Sequence, residues 1–365
     1  MTWFTRTRAA LLSASVLFGA LAVAPTANAF NLNDYDGDGI PNSVEISGYD
    51  ADGDGIIDLD LRAMGASPYH KDVFVEMDYM PGELASDADL DRIVESFNSM
   101  PLRNPDGSSG IHIHLDAGSA SAKYNLGGGN QIEHKALDDN MKVWQEFKNS
   151  NFDSKRDDIF HYMIWGDYYG NTSSSGLGWS NGKGFIVTVG KTKWPTANGD
   201  VRVGTFIHEL GHNLGLGHGG GDSLNYKPNY FSIMNYEYQL YGLPMADGTR
   251  RFTYSYYTFQ NLDENALDET KGFGPQAYGL KYKNQPAHEA IDFNGNGVID
   301  TEPVSADLNG DKKLSVLTGS NDMLSLKFQT QLTTSGGVQR IQQQPTLERN
   351  ELTYEKAQEL LAQQR

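Results

Sequence analysis

Three histidines and a glutamate in one short stretch carry the clearest chemical signal of this 365-residue sequence. His208 and His212 are four residues apart, so their imidazoles leave the same face of a helix. Two neutral imidazoles placed in this way can bind one tetrahedral zinc ion, and His218 supplies a third ligand if the chain turns back after the helix. Glu209 follows His208, so its carboxylate can reach a water molecule on the metal without being a ligand.

The glycine between the second and third histidines indicates that such a turn exists. Gly215 stands where the helix must end, and glycine tolerates the positive φ that the turn requires. A helix whose histidines align by chance would explain His208 and His212, but not the glutamate, the glycine and His218 together with them. We therefore predict one catalytic zinc ion with three histidine ligands and an open fourth position for water.

The complete pattern, H-E-x-x-H-x-x-G-x-x-H, resembles the metzincin clan of zinc peptidases, in which a methionine turn lies beneath the metal. Residues 232–236, Ser-Ile-Met-Asn-Tyr, resemble that turn and place Met234 beneath the histidines. As in astacin-like and serralysin-like members, the resemblance implies that Tyr236 is a further, displaceable zinc ligand. Gly219, which follows the third histidine, is not the typical residue of astacins, serralysins, adamalysins or matrixins, so the subfamily stays open.

The clan resemblance implies hydrolysis of peptide bonds, and the residues support this chemistry independently. Zinc lowers the pKa of its water toward neutrality, and Glu209 is the expected general base. Tyr236 is then expected to donate a hydrogen bond to the oxyanion of the transition state. Met234 is expected to pack beneath the ligands without touching the substrate. By analogy with the clan, an extended peptide adds to the strand before the active-site helix, and residues 185–189 occupy that place.

Hydrophobic periodicity places the zinc motif in a mixed α/β layer. Strands are predicted at residues 73–78, 111–115, 159–165 and 185–189, and helices at 89–97, 132–147 and 201–214. The Gly-, Ser- and Asn-rich stretch 170–184 is predicted to be a loop. The expected fold class is α+β: a metzincin-like, two-lobed catalytic domain with a mixed twisted sheet, an active-site helix and an irregular C-terminal lobe, preceded by short calcium-binding repeats.

Acidic loops in two regions of the chain predict several structural calcium ions, because oxygen ligands recur there at alternate positions. The predicted ligands of the first two loops are Asp34, Asp36, Asp38, Ile40, Asn42 and Glu45, and Asp50, Asp52, Asp54, Ile56 and Asp58. Two later, weaker loops offer Asp292, Asn294, Asn296, Val298 and Asp300, and Asp307, Asn309 and Asp311. The first pair resembles thrombospondin type 3 or EF-hand-like repeats. The alternative for all four loops is a solvated, Asx-rich turn.

The chain divides into an export signal, acidic repeats, a catalytic domain and a tail. Arg6 and Arg8 precede an apolar run over residues 9–24, and a small-x-small cleavage site, Ala27-Asn28-Ala29, follows it. Residues 1–29 therefore predict a signal peptide and a secreted, extracellular protein. The predicted divisions are calcium-binding repeats at 30–70, a catalytic domain at 71–325 with lobes at 71–218 and 219–325, calcium loops at 292–315 within it, and a polar tail at 326–365. The tail has a predicted helix over 352–361 and is expected to be poorly ordered or peripherally docked.

Composition excludes several other classes of function. The chain has no cysteine, which excludes a disulfide framework, a thiolate zinc site, a cysteine nucleophile and a thiol latency switch. Its 29 basic and 47 acidic residues give a net charge of -18, which argues against nucleic acid or an anionic membrane as the partner. We expect protein or peptide substrates and a monomer.

Two other functions stay open from the sequence. One is a catalytically silent, calcium-dependent adhesion or binding protein, although a silent site could lose Glu209 freely and here it is intact. The other is a zinc hydrolase of peptidoglycan cross-links, for which no wall-binding repeat is evident. Among the remaining histidines, His112 and His114 are two residues apart and share one face of a predicted strand. They could bind a metal, but such residues are more often surface-exposed or hydrogen-bonded.

Overall fold

The computed structural model describes residues 32–328, 345–349 and 351–363. The signal peptide predicted for residues 1–29 and part of the predicted tail lie outside these residues. The helices and strands, in chain order, are α1 (Asn42–Ser47), β1 (Asp72–Tyr79), α2 (Asp87–Asn98), β2 (His112–Asp116), α3 (Lys142–Asn151), β3 (Phe160–Trp165), β4 (Gly176–Ser180), β5 (Gly184–Val187), α4 (Gly199–Asn213), β6 (Leu243–Pro244), β7 (Arg250–Arg251), β8 (Leu262–Asp263), β9 (Lys281–Tyr282), β10 (Gln285–Pro286), β11 (Val316–Leu317), β12 (Thr346–Leu347) and α5 (Tyr354–Gln363). Among the described helices, none has the length and apolar character needed to cross a membrane.

A mixed sheet with the strand order β12-β4-β5-β3-β1-β2 forms the centre of the molecule. β1 pairs in parallel with β2 and β3, and β3 pairs in parallel with β5, whereas β4 runs antiparallel to β5. β1 and β3 are buried nearly throughout, because helices cover both faces of the sheet, so their residues do not alternate between apolar and polar. α2 and α4 contribute to the apolar cluster on one face, and α3 contributes to the cluster on the other.

The active-site helix α4 is anchored at its start and buried along most of its length. The side chain of Asn198 caps it by accepting a hydrogen bond of 3.1 Å from the N–H of Val201. From Val203 to Asn213 every residue is buried, because the helix packs against α2, β4 and β5. A helix enclosed in this way holds its polar side chains at fixed positions.

The structure agrees with the predicted strands at β1, β2, β3 and β5 and with the helices at α2 and α4, but it corrects three other predictions. The helix predicted over 132–147 is wrong in its first part, because α3 begins at Lys142, where the carboxylate of Asp138 accepts the N–H groups of Lys142 and Val143. The loop predicted over 170–184 contains β4. Residues 185–189 were expected at the edge of the cleft, but β5 is an interior strand, and β4 lies between it and β12.

The part of the chain that follows the third histidine contains mainly two-residue strands around its own core. That core is dominated by aromatic side chains, among them Phe231, Phe259 and Phe273, which pack with rings 5.0–5.4 Å apart. The acidic N-terminal repeats have no separate core. Their Ile40 and Tyr49 join Phe74 in the cluster on the α3 face of the sheet.

The described part of the tail lies against the central sheet and not at the periphery of the molecule. β12 pairs antiparallel with β4, with Thr346 opposite Ser180 and Leu347 opposite Trp179. The predicted helix over 352–361 is present as α5, two residues further along. The expectation of a peripherally docked tail is therefore wrong for these residues, and the physical reason is that β4 without β12 would leave the hydrogen-bonding groups of its edge unpaired.

Candidate active site

Helix α4 presents two imidazoles to one point. His208 and His212 are fully buried, and their Nε2 atoms lie 3.2 Å apart. The Nδ1 atoms of His208 and His212 lie 2.9 Å from the carbonyl oxygens of Ile233 and Leu216, respectively. Because a carbonyl oxygen only accepts hydrogen bonds, both Nδ1 atoms carry the proton and both Nε2 atoms present a lone pair.

The third histidine reaches the same point through the glycine turn. Gly215 has a φ of 84°, its N–H donates to the carbonyl of His212, and the N–H of Leu216 donates to the carbonyl of Gly211, both at 2.9 Å. This pair of bonds is the Schellman arrangement that ends a helix. The turn brings the Nε2 atom of His218 to 3.0 Å from that of His212.

The geometry of the three nitrogens fits a zinc ion. Nitrogens that coordinate one tetrahedral zinc ion at about 2.0–2.1 Å lie about 3.3 Å apart, and the two separations here are 3.0 and 3.2 Å. Without a cation the converging lone pairs would repel one another. Protonation does not relieve that repulsion at His208, because burial lowers its pKa to about 4.

Glu209 lies beside the histidines in a buried pocket. Neither carboxylate oxygen has a hydrogen-bond partner among the described residues. Burial, and next the carboxylate of Glu351, raises the pKa of Glu209 well above its usual value. Two glycines of β4 make room for it: a Cβ at Gly176 would lie 2.6 Å from Cδ of Glu209, and a Cβ at Gly178 would lie 3.2 Å from its Oε2. Larger residues at these positions would displace the carboxylate.

The methionine turn predicted at residues 232–236 lies directly beneath the histidines. Met234 is fully buried and its sulfur packs on Gly211 of α4, where a Cβ would overlap the sulfur atom. The carbonyl of Ile233 accepts the hydrogen bond from Nδ1 of His208. The turn therefore supports the site by packing and by orienting one imidazole.

Asp322 anchors this turn and was not found from the sequence. Its fully buried carboxylate accepts hydrogen bonds from the hydroxyls of Tyr230 at 2.8 Å and Ser232 at 2.6 Å, and from the N–H of Ser255 at 3.0 Å. Burial raises its pKa to about 6 in spite of these bonds. An isolated Asp far along the chain has no local pattern that would indicate this role.

Asn213, at the end of α4, ties the helix to the β4–β5 hairpin. Its amide nitrogen donates to the carbonyls of Trp179 and Gly184, both at 2.9 Å. Its side-chain oxygen lies 2.9 Å from Nδ1 of His161 on β3, whose pKa burial lowers to about 3. These bonds fix the strand that lines the site relative to the helix that carries the histidines.

Tyr236 lies at the histidine cluster, as the position two residues after the methionine predicts. Its hydroxyl is 3.1 Å from Nε2 of His218 and donates to Oε2 of Glu351 at 3.1 Å. Burial raises the pKa of this phenol well above its usual value, and the neighbouring carboxylate of Glu351 adds to the shift. The hydroxyl is thus close enough to approach a metal ion or a substrate oxygen at this centre.

Glu351 completes the cluster and was missed by the sequence analysis. Its fully buried carboxylate places Oε2 3.0 Å from Nε2 of His208, and Oε1 3.2 Å from Nε2 of both His212 and His218. The four residues together are arranged so that they can hold one metal ion. No motif links Glu351 to the histidines, because more than a hundred residues separate them in the chain.

Helix α4 carries two histidines and a glutamate, and a third histidine follows its glycine turn. This arrangement is typical of protein sites that hold one zinc ion for hydrolysis. Residues 91–219 match the family model described as metallo-peptidase family M12B, reprolysin-like. This match and the histidine cluster support a zinc metallopeptidase, a hydrolase of peptide bonds. Comparisons with curated proteins and with solved structures find no match.

The first acidic loop brings its carboxylates together. Asp34, Asp36 and Asp38 form one group able to hold a cation, and Asp38, Glu45 and Asp72 form a second, buried group that shares Asp38. Both oxygens of Glu45 and one of Asp36 are buried without a hydrogen-bond partner in the described structure. Burial raises the pKa of Glu45 to about 9 and that of Asp36 to about 7, and neighbouring carboxylates add to both shifts. Asp72, on β1, was not predicted from the spacing.

The second loop is more exposed, and two of its carboxylates lie close to the side chain of Lys155. Asp50, Asp52 and Asp58 lie together, whereas Asp54 is outside this group. The ammonium of Lys155 pairs with Asp58 and lies 3.4 Å from Asp52. The N–H groups of Gly53 and Gly55 donate to Asp50, so the turn is closed by its own hydrogen bonds.

Each of the two later loops is closed by a buried glutamate that the spacing did not reveal. Glu269 accepts the N–H groups of Phe293, Asn294 and Asp300. Glu264 accepts those of Leu308 and Ser315 in the corresponding positions of the last loop. Within the described residues, neither of these two loops brings three His, Asp or Glu side chains together.

The histidines of β2 are engaged in contacts other than a metal cluster. Nε2 of His114 lies 2.6 Å from a carboxylate oxygen of Asp72, and its ring stacks on Phe74. The ring of His112 stacks on that of His70. The interpretation of His112 and His114 as hydrogen-bonded or packed residues accords with these contacts.

Proposed function

We propose that the protein is a secreted, zinc-dependent endopeptidase stabilised by structural calcium. The observation that carries the proposal is the convergence of three imidazole Nε2 atoms beside the buried, unpartnered carboxylate of Glu209. The match to a metallopeptidase family over residues 91–219 supports the same reaction. Secretion rests on the signal predicted for residues 1–29.

In the proposed mechanism His208, His212 and His218 hold the ion and Glu209 moves the proton. A zinc ion held there would lower the pKa of a water molecule, which adds to the scissile carbonyl, and would polarise that carbonyl. Glu209 accepts the proton of that water as general base and delivers it to the leaving nitrogen. The hydroxyl of Tyr236, beside His218, donates a hydrogen bond to the developing oxyanion.

We further propose that the substrate binds as an extended strand along β4. This strand lies at the edge of the five longer strands of the sheet and packs on α4, where Gly176 faces Glu209. A peptide that adds there by main-chain hydrogen bonds would run past the histidine cluster. β4 thus takes the role that the sequence analysis assigned to residues 185–189.

The calcium part of the proposal is best supported in the first loop. Carboxylates buried without partners are costly unless a cation neutralises them, and the loop has two unpartnered oxygens on Glu45 and one on Asp36. Because Ile40 of this loop packs into the core, an ion there would hold the repeat segment against the catalytic part. Calcium in the other three loops stays a prediction from the spacing.

Metal analysis and hydrolysis together test the zinc peptidase. The full chain should carry about one zinc ion, and His212→Ala should lose it, because three histidines share one ion. The fourth side of the cluster is taken by Glu351, so hydrolysis of casein is best compared between Glu351→Ala and the double variant Glu351→Ala/Glu209→Gln. Equal hydrolysis by the two variants would refute the proposal.

The same assay separates the two alternatives. Release of peptidoglycan fragments without hydrolysis of casein would identify a hydrolase of wall cross-links. A zinc-loaded Glu351→Ala variant that hydrolyses neither substrate with Glu209 intact would identify a silent binding protein.

A further inference from the structure

We infer that Glu351 is a protein-supplied fourth zinc ligand and that the described part of the tail, residues 345–349 and 351–363, fills the substrate cleft as an intramolecular inhibitor. The inference rests on the proposed function and extends it to the control of the enzyme. It has three independent supports: the position of the carboxylate, the pairing of the backbone with β4 and the burial of the segment beyond it.

The carboxylate of Glu351 occupies the side of the cluster that a catalytic site must leave open for water. Its oxygens lie 3.0–3.2 Å from all three Nε2 atoms. In the neutral rings of His208 and His212 the proton is on Nδ1, so both Nε2 atoms present a lone pair toward this carboxylate. A cation bound between these atoms would relieve the repulsion among the acceptors, and three imidazoles with one carboxylate make a four-ligand zinc set.

The backbone of the segment takes the hydrogen bonds of β4 that a peptide substrate would use. β12 pairs with the end of β4, and the N–H of Glu348 donates to the carbonyl of Gly178 at 2.9 Å. Beyond the carboxylate, the N–H of Ser175 donates to the carbonyl of Leu352 at 2.8 Å, and the N–H of Tyr354 donates to the carbonyl of Ser173 at 3.0 Å. The segment therefore follows the edge of β4 on both sides of the histidine cluster.

The residues after Glu351 hold the segment in place by burial. Leu352 and Ala357 are 1% exposed and Leu360 is 7% exposed, and all three belong to the core cluster that includes α4. The ring of Tyr354 packs edge-on against Trp194 at 5.4 Å. This apolar anchor raises the effective concentration of the carboxylate at the metal, so one additional ligand suffices to block the site.

The segment inhibits and is not itself cut, because the atom that it presents to the metal is a side-chain oxygen and not a peptide carbonyl. With water displaced from the fourth position, Glu209 has no proton to accept. Displacement of residues 345–363 opens both the fourth position and the edge of β4. A competing strand or a cut that removes the segment would accomplish this.

The experiment uses the full chain with zinc bound, and compares wild type, Glu351→Ala, the isosteric Glu351→Gln and Glu359→Gln. Glu359 is an exposed acid on α5 and serves as the matched control. Hydrolysis of an internally quenched peptide should rise roughly tenfold or more in both Glu351 variants, a change that corresponds to one modest ligand interaction of about 1.4 kcal/mol, and should not rise in Glu359→Gln. Wild type as active as Glu351→Ala would overturn the inference and leave the proposed peptidase standing.

Two measurements without turnover complete the test. The cobalt(II)-substituted protein should change its visible absorption spectrum on Glu351→Ala, because water replaces a carboxylate ligand, and should keep it in Glu359→Gln. Amide exchange of Glu348 and Tyr354 should quicken in Glu351→Ala, and in wild type after zinc is removed. Identical spectra and exchange in all variants would overturn the inference. If no variant hydrolyses any peptide the proposed function fails, and the cobalt spectrum still decides whether Glu351 is a ligand.

Discussion

Replacement of Gly176 by alanine should disable catalysis without removing the metal. Gly176 lies on β4 against the carboxylate of Glu209, and its added Cβ would stand 2.6 Å from Cδ of that carboxylate and 2.7 Å from the carbonyl oxygen of Ile186. Ordinary contacts of this kind begin at 3.4 Å. Because backbone crowds the new methyl group on the other side, the carboxylate must yield by about 1 Å, a misplacement that costs roughly 100-fold in rate.

The expected loss lies in kcat and corresponds to about 2.7 kcal/mol of transition-state stabilisation. KM should change little, because Glu209 acts on the proton of water and does not bind the peptide. The assay is hydrolysis of an internally quenched peptide in the Glu351→Ala background, with zinc content measured on the same samples. Zinc should stay at about one per chain, since the atoms nearest to an added Cβ at Gly176 belong to Glu209 and Ile186 and not to the three histidines.

Gly178→Ala is the matched control on the same strand. Its Cβ would meet Oε2 of Glu209 and the carbonyl oxygen of the same residue at 3.2 Å, which a shift of a few tenths of an ångström relieves. We expect a loss of roughly threefold to fivefold, well below that of Gly176→Ala. A Gly176→Ala variant that keeps its zinc and a kcat within about threefold of that of the Glu351→Ala parent would show that β4 does not hold Glu209 in place as the general base.

Three further predictions concern stability. Gly215→Ala forces a left-handed φ on a residue with a Cβ, so the free energy of unfolding in urea should fall by about 1–2 kcal/mol. An unchanged free energy of unfolding would contradict the role of this turn in bringing His218 to the other histidines. Calcium should raise the thermal midpoint of wild type and of the second-loop variant Asp52→Asn. It should raise the midpoint of Glu45→Gln much less, because a ligand stabilises a protein only through a site that binds it. Equal shifts in all three proteins would argue against a calcium site in the first loop. Because the pKa of Asp322 is raised from 3.8 to about 6, the stability that its proton contributes below pH 4 is lost as the pH rises to about 6. The unfolding free energy of wild type minus that of Asp322→Asn should therefore fall by about 3 kcal/mol over this range, and a pH-independent difference would refute the assignment.

The zinc ligands were accessible from the sequence because their geometry is local. A four-residue spacing on a helix fixes two imidazoles on one face, and Gly215 marks the turn that returns His218 to them. The methionine turn was also recognisable as a short pattern. Its support was not, since Asp322 reaches Ser232 from a distant part of the chain.

The sequence predicts a loop where the structure has β4, and there is a physical reason for the difference. Its glycines at 176 and 178 lower the β-propensity of the stretch, yet they are the residues that leave room for Glu209. The position of each strand within the sheet could not be predicted either, because strand order depends on the crossover connections and hydrophobic periodicity carries no information about them. The edge of the cleft was therefore assigned to β5, which lies one strand further in.

The acidic loops divide in the same way. The ligand spacing of the first loop is local and was found, whereas Asp72 joins it only through the packing of β1. The glutamates that close the two later loops, Glu264 and Glu269, also lie far from them in sequence. Loop spacing thus predicts which oxygens converge within a turn, but not which distant residues enclose it.

The sequence alone predicted the cluster of three histidines and the glutamate beside it, because all four lie within one helix and the turn that follows it. Only the tertiary structure decided what lies on the fourth side of that cluster. Glu351 reaches the cluster because the unpaired edge of β4 accepts a further strand and the apolar face of α5 is buried beside it. Hydrogen bonding along a strand edge is indifferent to sequence distance, so no spacing rule could have placed this carboxylate among the histidines.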